Sequence, residues 1–177
     1  MLRRVLTDGT RVLIRPIEPG DKPRLSAALG QLSAESIRRR FLAAKPALSG
    51  AELRYLTEVD GVHHLALVAV LGDDPEQLAA VARCVRLEPG GDVAEFAIVV
   101  GDAVQRHGLG TVLATELADA ACGVGIRRFA ATTLADNEAI QHLMDAFATR
   151  LEQHAAGGGV RELLAELPDC GARRLAA

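Results

Sequence analysis

The sequence predicts a single α/β domain whose central sheet has about seven strands and is flanked by helices. Three observations carry this reading. Short apolar or β-branched runs end at turn signals, as strands do. One longer stretch repeats its apolar positions at helical spacing directly after a Gly-x-Gly turn. No linker, repeat or low-complexity tract interrupts the 177 residues, a length that suits one hydrophobic core and is short for two.

Arg11 to Ile17 follows the turn Asp8-Gly9 and reads as a first strand; Pro16 cannot donate to a ladder, which predicts an edge position. Helical pieces follow over roughly Asp21 to Leu29 and Ser33 to Leu42, and a third is opened by the capping box Ser49-Gly50-Ala51-Glu52. The apolar run His64 to Val70 stops at Gly72-Asp73-Asp74-Pro75 and is too short for a buried helix, so it reads as a central strand. Leu78 to Leu87 and Val93 to Val100 are two more, joined by Glu88-Pro89-Gly90-Gly91-Asp92 into an antiparallel meander. Leu109, Val112, Leu113 and Leu117 then mark a helix that stops at Gly123-Val124-Gly125. Arg127 to Leu134 reads as a strand and Asn137 to about Phe147 as a helix. Arg150 to Ala155 and Val160 to Leu167 form a closing hairpin around Gly157-Gly158-Gly159. The core spans about residues 7–167, and Cys170 to Ala177 reads as a loose tail.

Apolar residues make up 49% and charged residues 24%, the balance of a globular chain rather than a disordered one. Twenty basic against 23 acidic residues leave a charge of -3, and aromatics are scarce at 3%; both argue against a nucleic-acid partner. Met1-Leu2-Arg3-Arg4 leads into polar Thr7-Asp8-Gly9, so neither a signal peptide nor a membrane span is expected and the expected address is cytoplasmic. Cys84, Cys122 and Cys170 are widely spaced with no Cys-x-x-Cys, which predicts reduced thiols. His63, His64, His107, His142 and His154 show no ligand spacing with acidic or thiol partners; no metal is expected, and His63-His64 read as structural. Arg38-Arg39-Arg40 point in different directions along a helix and read as a solvated face without a site.

Between Val100 and the securely predicted helix stand Gly101-Asp102-Ala103-Val104 and then Gln105-Arg106-His107-Gly108-Leu109-Gly110-Thr111. Glycines let a backbone approach a ligand closely. The first amides of a helix have no intrahelical acceptor and can donate to an anion such as a pyrophosphate. Arg106 and His107 add positive or donor character at the same mouth. A Walker turn needs Gly-Lys before Ser or Thr, which is absent. The dinucleotide fingerprint needs its first glycine directly after the strand and a small third residue, but Gly108 comes eight positions after Val100 and the third place is Leu113. An isolated Gly-x-Gly also serves as a plain connection between strand and helix. Here the strand ending in Val99-Val100, the four-residue spacer and the amphipathic helix that follows favour a ligand.

These residues resemble the GCN5-related N-acetyltransferase (GNAT) superfamily, whose pyrophosphate motif is Gln or Arg, two residues, Gly, one residue, then Gly or Ala. Gln105, Gly108 and Gly110 match it. The resemblance runs from about Thr7 to Leu167. It is narrower towards bacterial protein lysine acetyltransferases in Ala94-Glu95-Phe96-Ala97-Ile98-Val99-Val100, and in Thr7-Asp8-Gly9-Thr10 with Ile14-Arg15-Pro16-Ile17. It implies a GNAT-like mixed, mostly antiparallel sheet and direct transfer of acetyl from acetyl-CoA, without a metal, to a primary amine of a protein or a small molecule. It also implies a strand that splays near Val99 and Val100 and pairs with the pantetheine arm. Amides of Arg106, His107, Gly108, Leu109, Gly110 and Thr111 would hold the pyrophosphate. Asn137 would help to hold the pantetheine side; the same residue reads equally as a helix N-cap. Neither nucleic acid nor a membrane is an expected partner, and homodimerisation is left open.

An alkyl ammonium, with a pKa of about 10.4, must lose a proton before it attacks a thioester. Glu95 is the candidate base. On a strand Phe96, Ile98 and Val100 share one face and Glu95, Ala97 and Val99 the other, so large side chains face the core and Glu95 lies, partly buried, on a face kept open by Ala97. The resemblance agrees, because the glutamate base of the protein acetyltransferases occupies this place. From the residues alone, a solvent-facing or hairpin-pairing glutamate is the alternative. Many superfamily members carry a tyrosine seven residues after the asparagine to protonate the departing thiolate; here that place is Met144, which has no proton to give. Ala148-Thr149 stand where the family often has Gly-Phe. These departures keep open a second reading, a domain that senses acetyl-CoA without turnover. Asp136 and Asp145 read either as groups that orient an amine or as ordinary helix-end acids.

Overall fold

The computed structural model describes residues 1–169. The chain runs β1 (Leu2–Val5), β2 (Arg11–Pro16), α1 (Lys22–Gly30), α2 (Ala34–Phe41), α3 (Gly50–Thr57), β3 (His64–Leu71), β4 (Leu78–Arg86) and β5 (Val93–Val100). It continues through α4 (Leu109–Gly123), β6 (Arg128–Leu134), α5 (Glu138–Phe147), β7 (Arg150–Gly157) and β8 (Val160–Glu166). The eight strands of the described residues form one sheet in the order β1-β2-β3-β4-β5-β6-β8-β7. Every neighbouring pair is antiparallel except β5 with β6, which are parallel.

The mixed α/β architecture agrees with the expectation, with one strand more. β1 is four residues long and too short to show a period, yet it pairs with Arg11 to Ile14 and takes the sheet edge that Pro16 suggested for β2. Pro16 itself lies beyond the end of β1, opposite Leu67 of β3, where its missing N–H costs no ladder bond. The capping box at Ser49 forms as read: Ser49 Oγ accepts from the Glu52 N–H, and the Glu52 carboxylate accepts from the Ser49 N–H at 2.8 Å.

Helices cover both faces of the sheet. On one face α4 and α5 bury Leu109, Leu113, Leu117, Met144 and Phe147 against β3 to β6 and β8. Three of the four phenylalanines meet where β5 joins β6: the ring centre of Phe96 lies 5.1 Å from Phe129 and 5.9 Å from Phe147. The scarce aromatics are thus spent on the single parallel pairing. On the other face α1 and α3 pack on Val68, Val70, Leu78 and Val81. Cys84 is a buried free thiol, pushed up to about 12 by burial and therefore unreactive. Cys122 is disulfide-bonded, which corrects the expectation of a reduced thiol there; Cys170 and the expected tail lie outside the described residues.

One charged cluster fixes the first helical layer on the sheet. Asp21, with 0% exposure, accepts from both terminal nitrogens of Arg15 at 2.7 Å, from Arg24 at 3.0 Å and from the Glu18 N–H at 2.9 Å. Burial alone would raise its pKa, but the bonds from Arg15, Glu18 and Arg24 outweigh burial and hold it at about 2, below the ordinary 3.8. Because the folded value is the lower one, the unfolded chain binds this proton more readily. The stabilisation is complete above pH 3.8 and is lost as the pH falls towards 2. Asp21→Asn leaves two arginines facing a neutral amide and is expected to cost about 3 kcal/mol in urea unfolding at neutral pH. The gap between variant and wild type should close as the pH is lowered through that window.

Candidate active site

The cleft arises from a disagreement between two pairings. β5 follows β4 along its whole length, from Val100 opposite Ala80 to Ala94 opposite Arg86, whereas β6 follows β8 along its own. They meet each other only over Val93, Ala94 and Glu95, and part beyond the Glu95–Ala130 pair. Glu95 therefore stands at the apex of a V-shaped opening.

The register identifies which backbone groups line that opening. Gly101 donates to Ala79 O at 2.8 Å and Leu87 to Val93 O at 3.0 Å, so the odd-numbered residues of β5 bond to β4 and the even-numbered ones face β6. Past the apex, the N–H and C=O of Ile98 and the N–H of Val100 have no protein partner among the described residues. The expectation of a splayed strand near Val99 and Val100 is sharpened by one residue. Val100 lines the cleft together with Ile98, while Val99 pairs with Val81 and turns its side chain to the opposite face.

Beyond β5 the chain makes one short turn of helix at Asp102–Val104 and enters the cradle. Gly108 has φ +85° and caps α4, and Arg106 has φ +64°, so consecutive amides turn towards a common side. The first intrahelical bond of α4 is Val112 N–H to Gly108 O at 3.1 Å. The N–H groups of Arg106, His107, Gly108, Leu109, Gly110 and Thr111 donate to no acceptor among the described residues. Six unclaimed donors at a helix N-terminus suit a pyrophosphate. A side chain at Gly108 would be strained by the positive φ, whereas a Cβ at Gly110 would sit in ordinary contact with Val100 and Leu143 at 3.6 Å.

Neighbouring elements brace the cradle. Gln105 does not point into it: its Nε2 donates to Val100 O at 3.0 Å, to Asp102 Oδ1 at 2.9 Å and to Ser36 Oγ at 3.3 Å, which closes the loop on itself. The Asp102 carboxylate also accepts from the Ser33 N–H at 2.6 Å and from the Ser36 hydroxyl, tying α2 to the same loop. On the outer side the β1–β2 turn leans on the cradle, with Thr7 N–H donating to His107 O at 3.3 Å and Asp8 lying 3.7 Å from His107 Nε2. The opening motif Thr7-Asp8-Gly9-Thr10 thus touches the cradle at His107.

Asn137 occupies the N-cap position of α5, but its side chain does not cap. It is buried and donates from Nδ2 to Thr133 Oγ1 at 3.0 Å, on the β6 bank. Glu95 shares its face of the sheet with Val99 and is exposed, where partial burial was expected. Met144 lies at 0% exposure inside the α4–α5 core, so this position supplies the cleft with no proton. Asp136 pairs with Arg38 of α2 at 3.6 Å, and Asp145 is exposed.

The three arginines of α2 do not form a uniform solvated face. Arg38 and Arg39 pair with Glu35. Arg40 instead turns inward, over the Phe41 ring at 5.0 Å and within electrostatic reach of Glu95. Its sequence neighbours hid it: three consecutive arginines carry no sign of which one faces the sheet. Arg83, buried in the middle of β4, was likewise passed over inside an otherwise apolar run. Among the described residues no group of three or more His, Cys, Asp or Glu side chains is arranged to hold a metal ion, and no helix is long and apolar enough to cross a membrane.

Comparison with known proteins converges on one family. The model of the acetyltransferase (GNAT) family matches residues 34–149. The chain is 37% identical over 132 residues to the acetyltransferase Pat of Mycolicibacterium smegmatis, an alignment that covers 75% of this chain and 39% of that protein. It is 32% identical over 139 residues to the acetyltransferase PA5475 of Pseudomonas aeruginosa, covering 78% of this chain and 74% of that one. The crystal structure of the GNAT domain of S. lividans PAT superposes with a TM-score of 0.83 at 35% identity, covering 94% and 96% of the two chains. The alignment thus spans about two fifths of the length of the first relative.

The chain belongs to the GNAT acetyltransferase family. The cradle and the unpaired edge of β5 fit what acetyl-CoA requires, an anion site followed by a strand-like partner for an extended amide chain. Gly108→Ala is expected to cost about 1–2 kcal/mol, because an alanine must adopt a left-handed backbone there. It should also weaken the thermal stabilisation by coenzyme A. Gly110→Ala should retain the fold at wild-type stability, and thermal unfolding of both variants with and without coenzyme A checks the pair.

Proposed function

We propose that this domain transfers the acetyl group of acetyl-CoA directly to the side-chain amine of a protein lysine, with Glu95 as general base. The observation that carries the reading is the alignment of three features along one strand. The six unclaimed amides lie beyond its end, the unpaired groups of Ile98 and Val100 follow its edge, and a carboxylate stands at the apex where the strands part.

Each part has a separate task. The amides from Arg106 to Thr111 hold the pyrophosphate, with Gln105 keeping the loop closed. Ile98 and Val100 align the pantetheine amides, and Asn137 borders the same channel from the β6 side. Bound acetyl-CoA supplies an activated thioester carbonyl. Glu95 takes the proton that the acceptor ammonium must lose, freeing a nitrogen lone pair to form the new C–N bond as the C–S bond breaks. Glu95 is open to solvent, so the proton has a direct exit. With methionine in the place of a phenolic donor, the departing sulfur takes its proton from water, which receives in exchange the second proton that the attacking nitrogen sheds on becoming an amide.

The protein-lysine acceptor is favoured by the resemblance of β5 and the N-terminal segments to protein lysine acetyltransferases; a small-molecule amine is the close alternative. Glu95→Gln should lower kcat at neutral pH by about 10²–10⁴-fold with little change in acetyl-CoA affinity. The deficit should shrink at high pH, where the free amine becomes abundant. Unchanged turnover would remove Glu95 from the mechanism. Assays on a panel of proteins, polyamines and amino sugars separate the acceptors. Activity on small amines alone refutes the lysine version, and no activity on any acceptor while acetyl-CoA still stabilises the fold favours a sensing domain.

A further inference from the structure

The α1–α3 side of the sheet encloses a cavity of about 260 Å³ that the cofactor cradle does not use. Its wall is mainly aliphatic, with Leu25, Leu29, Leu48 and Leu56 among its members. Two charges of the same sign interrupt that wall, Arg40 from the last turn of α2 and Arg83 from the middle of β4. Arg83 is 6% exposed; its Nη1 donates to Leu56 O at 3.1 Å and lies 3.2 Å from His64 Nε2. Burial, and next the Arg83 charge, depress His64 to about 4, so its ring is neutral at pH 7 and accepts that bond. Burial, followed by the charge of Arg40, lowers Arg83 to about 10, which leaves it a cation at neutral pH.

No carboxylate among the described residues is bonded to either guanidinium. Glu95 acts on Arg40 only through space, without a bond, and Asp102, the acid on the cavity wall, is already engaged by Ser33, Ser36 and Gln105. Two like charges that share a small apolar volume are costly unless an anion joins them. The planar fork of arginine matches a carboxylate in particular. The cavity also lies close to the chemistry. Arg83 is the cross-strand partner of Ala97, and Glu95 is its diagonal neighbour on the same face, a relation that spans about 5–8 Å between Cβ atoms.

We propose that Arg40 and Arg83 form a carboxylate-binding subsite of the acceptor pocket, so that preferred acceptors carry a carboxylate beside the amine they present to Glu95. The reactive amine in this statement rests on the transferase reading; the carboxylate subsite itself does not. Two sources share the required chemistry: an acidic side chain adjoining a lysine in a peptide, and the acid group of a small ω-amino acid.

Binding is measured calorimetrically in the presence of coenzyme A, which keeps the cradle filled without turnover. One pair of ligands is a peptide with a single lysine followed by Glu or by Gln. The other is γ-aminobutyrate and its amide. The wild type should bind the acid of at least one pair about 10–100-fold more tightly than its neutral counterpart, the scale of a charge-assisted bidentate contact. Arg40→Met, in the last turn of α2, should abolish that preference, and Arg40→Lys should restore a fraction of it. A preference confined to the peptides identifies the acidic side chain as the source, and one confined to the small pair identifies the free amino acid. Equal affinity within both pairs, or a preference that survives Arg40→Met, overturns the proposal. Acetyl transfer to the same four compounds is scored separately. Preference without transfer retains the subsite and refutes the transferase reading, while transfer without preference does the reverse.

Discussion

The parting of β5 from β6 is the constraint on which the site depends. Each strand keeps its outer neighbour over its full length, and the three-residue contact between them is held from behind by Phe96, Phe129 and Phe147. An edge strand inside a sheet is normally a liability, since unpaired N–H and C=O groups invite another chain. Here the opening is narrow, ends at a helix N-terminus and is closed at its apex by the aromatic cluster. What it offers is a short run of strand partners with an anion site at the end. That combination suits an extended, amide-bearing ligand with a phosphorylated terminus, and it follows from backbone geometry more than from any side chain.

The same geometry gives the two faces of β5 different surroundings. Even-numbered side chains of β5 enter the α4–α5 core, and the even-numbered backbone groups face the opening towards β6. Glu95, Ala97 and Val99 project to the other face, towards α1, α2 and α3, and under the proposed reaction this is the side from which the acceptor would approach. Asp102 connects the sides: it stands in the loop that leads to the cradle and holds the start of α2, whose far end carries Arg40. The position of the inward arginine is therefore set partly by the loop that leads into the amide cradle.

Much of this was legible in the sequence, for identifiable reasons. The cradle was readable because Gly108 and Gly110 have spacing that excludes the rival phosphate turns, and because orphan amides at a helix start follow from helix geometry alone. The face of Glu95 was readable from the period of a strand. Its exposure was not, since burial depends on α1 to α3, whose packing no local pattern encodes. β1 was missed because four residues cannot display a period, although its turn supports His107. Arg40 and Arg83 were missed because one sits in a run of identical charges and the other in an apolar run. Only the tertiary register brings them to one cavity. The disulfide state of Cys122 was misjudged from spacing, which constrains cysteine chemistry poorly over long separations.

Whether coenzyme A is held by backbone amides along the parted strands is tested most directly by amide hydrogen exchange with and without the cofactor. Exchange should slow at Arg106 to Thr111 and at Ile98 and Val100, with little change in β1, β7 and β8. Unaltered exchange in the cradle under saturating coenzyme A, or protection confined to another surface, would contradict it.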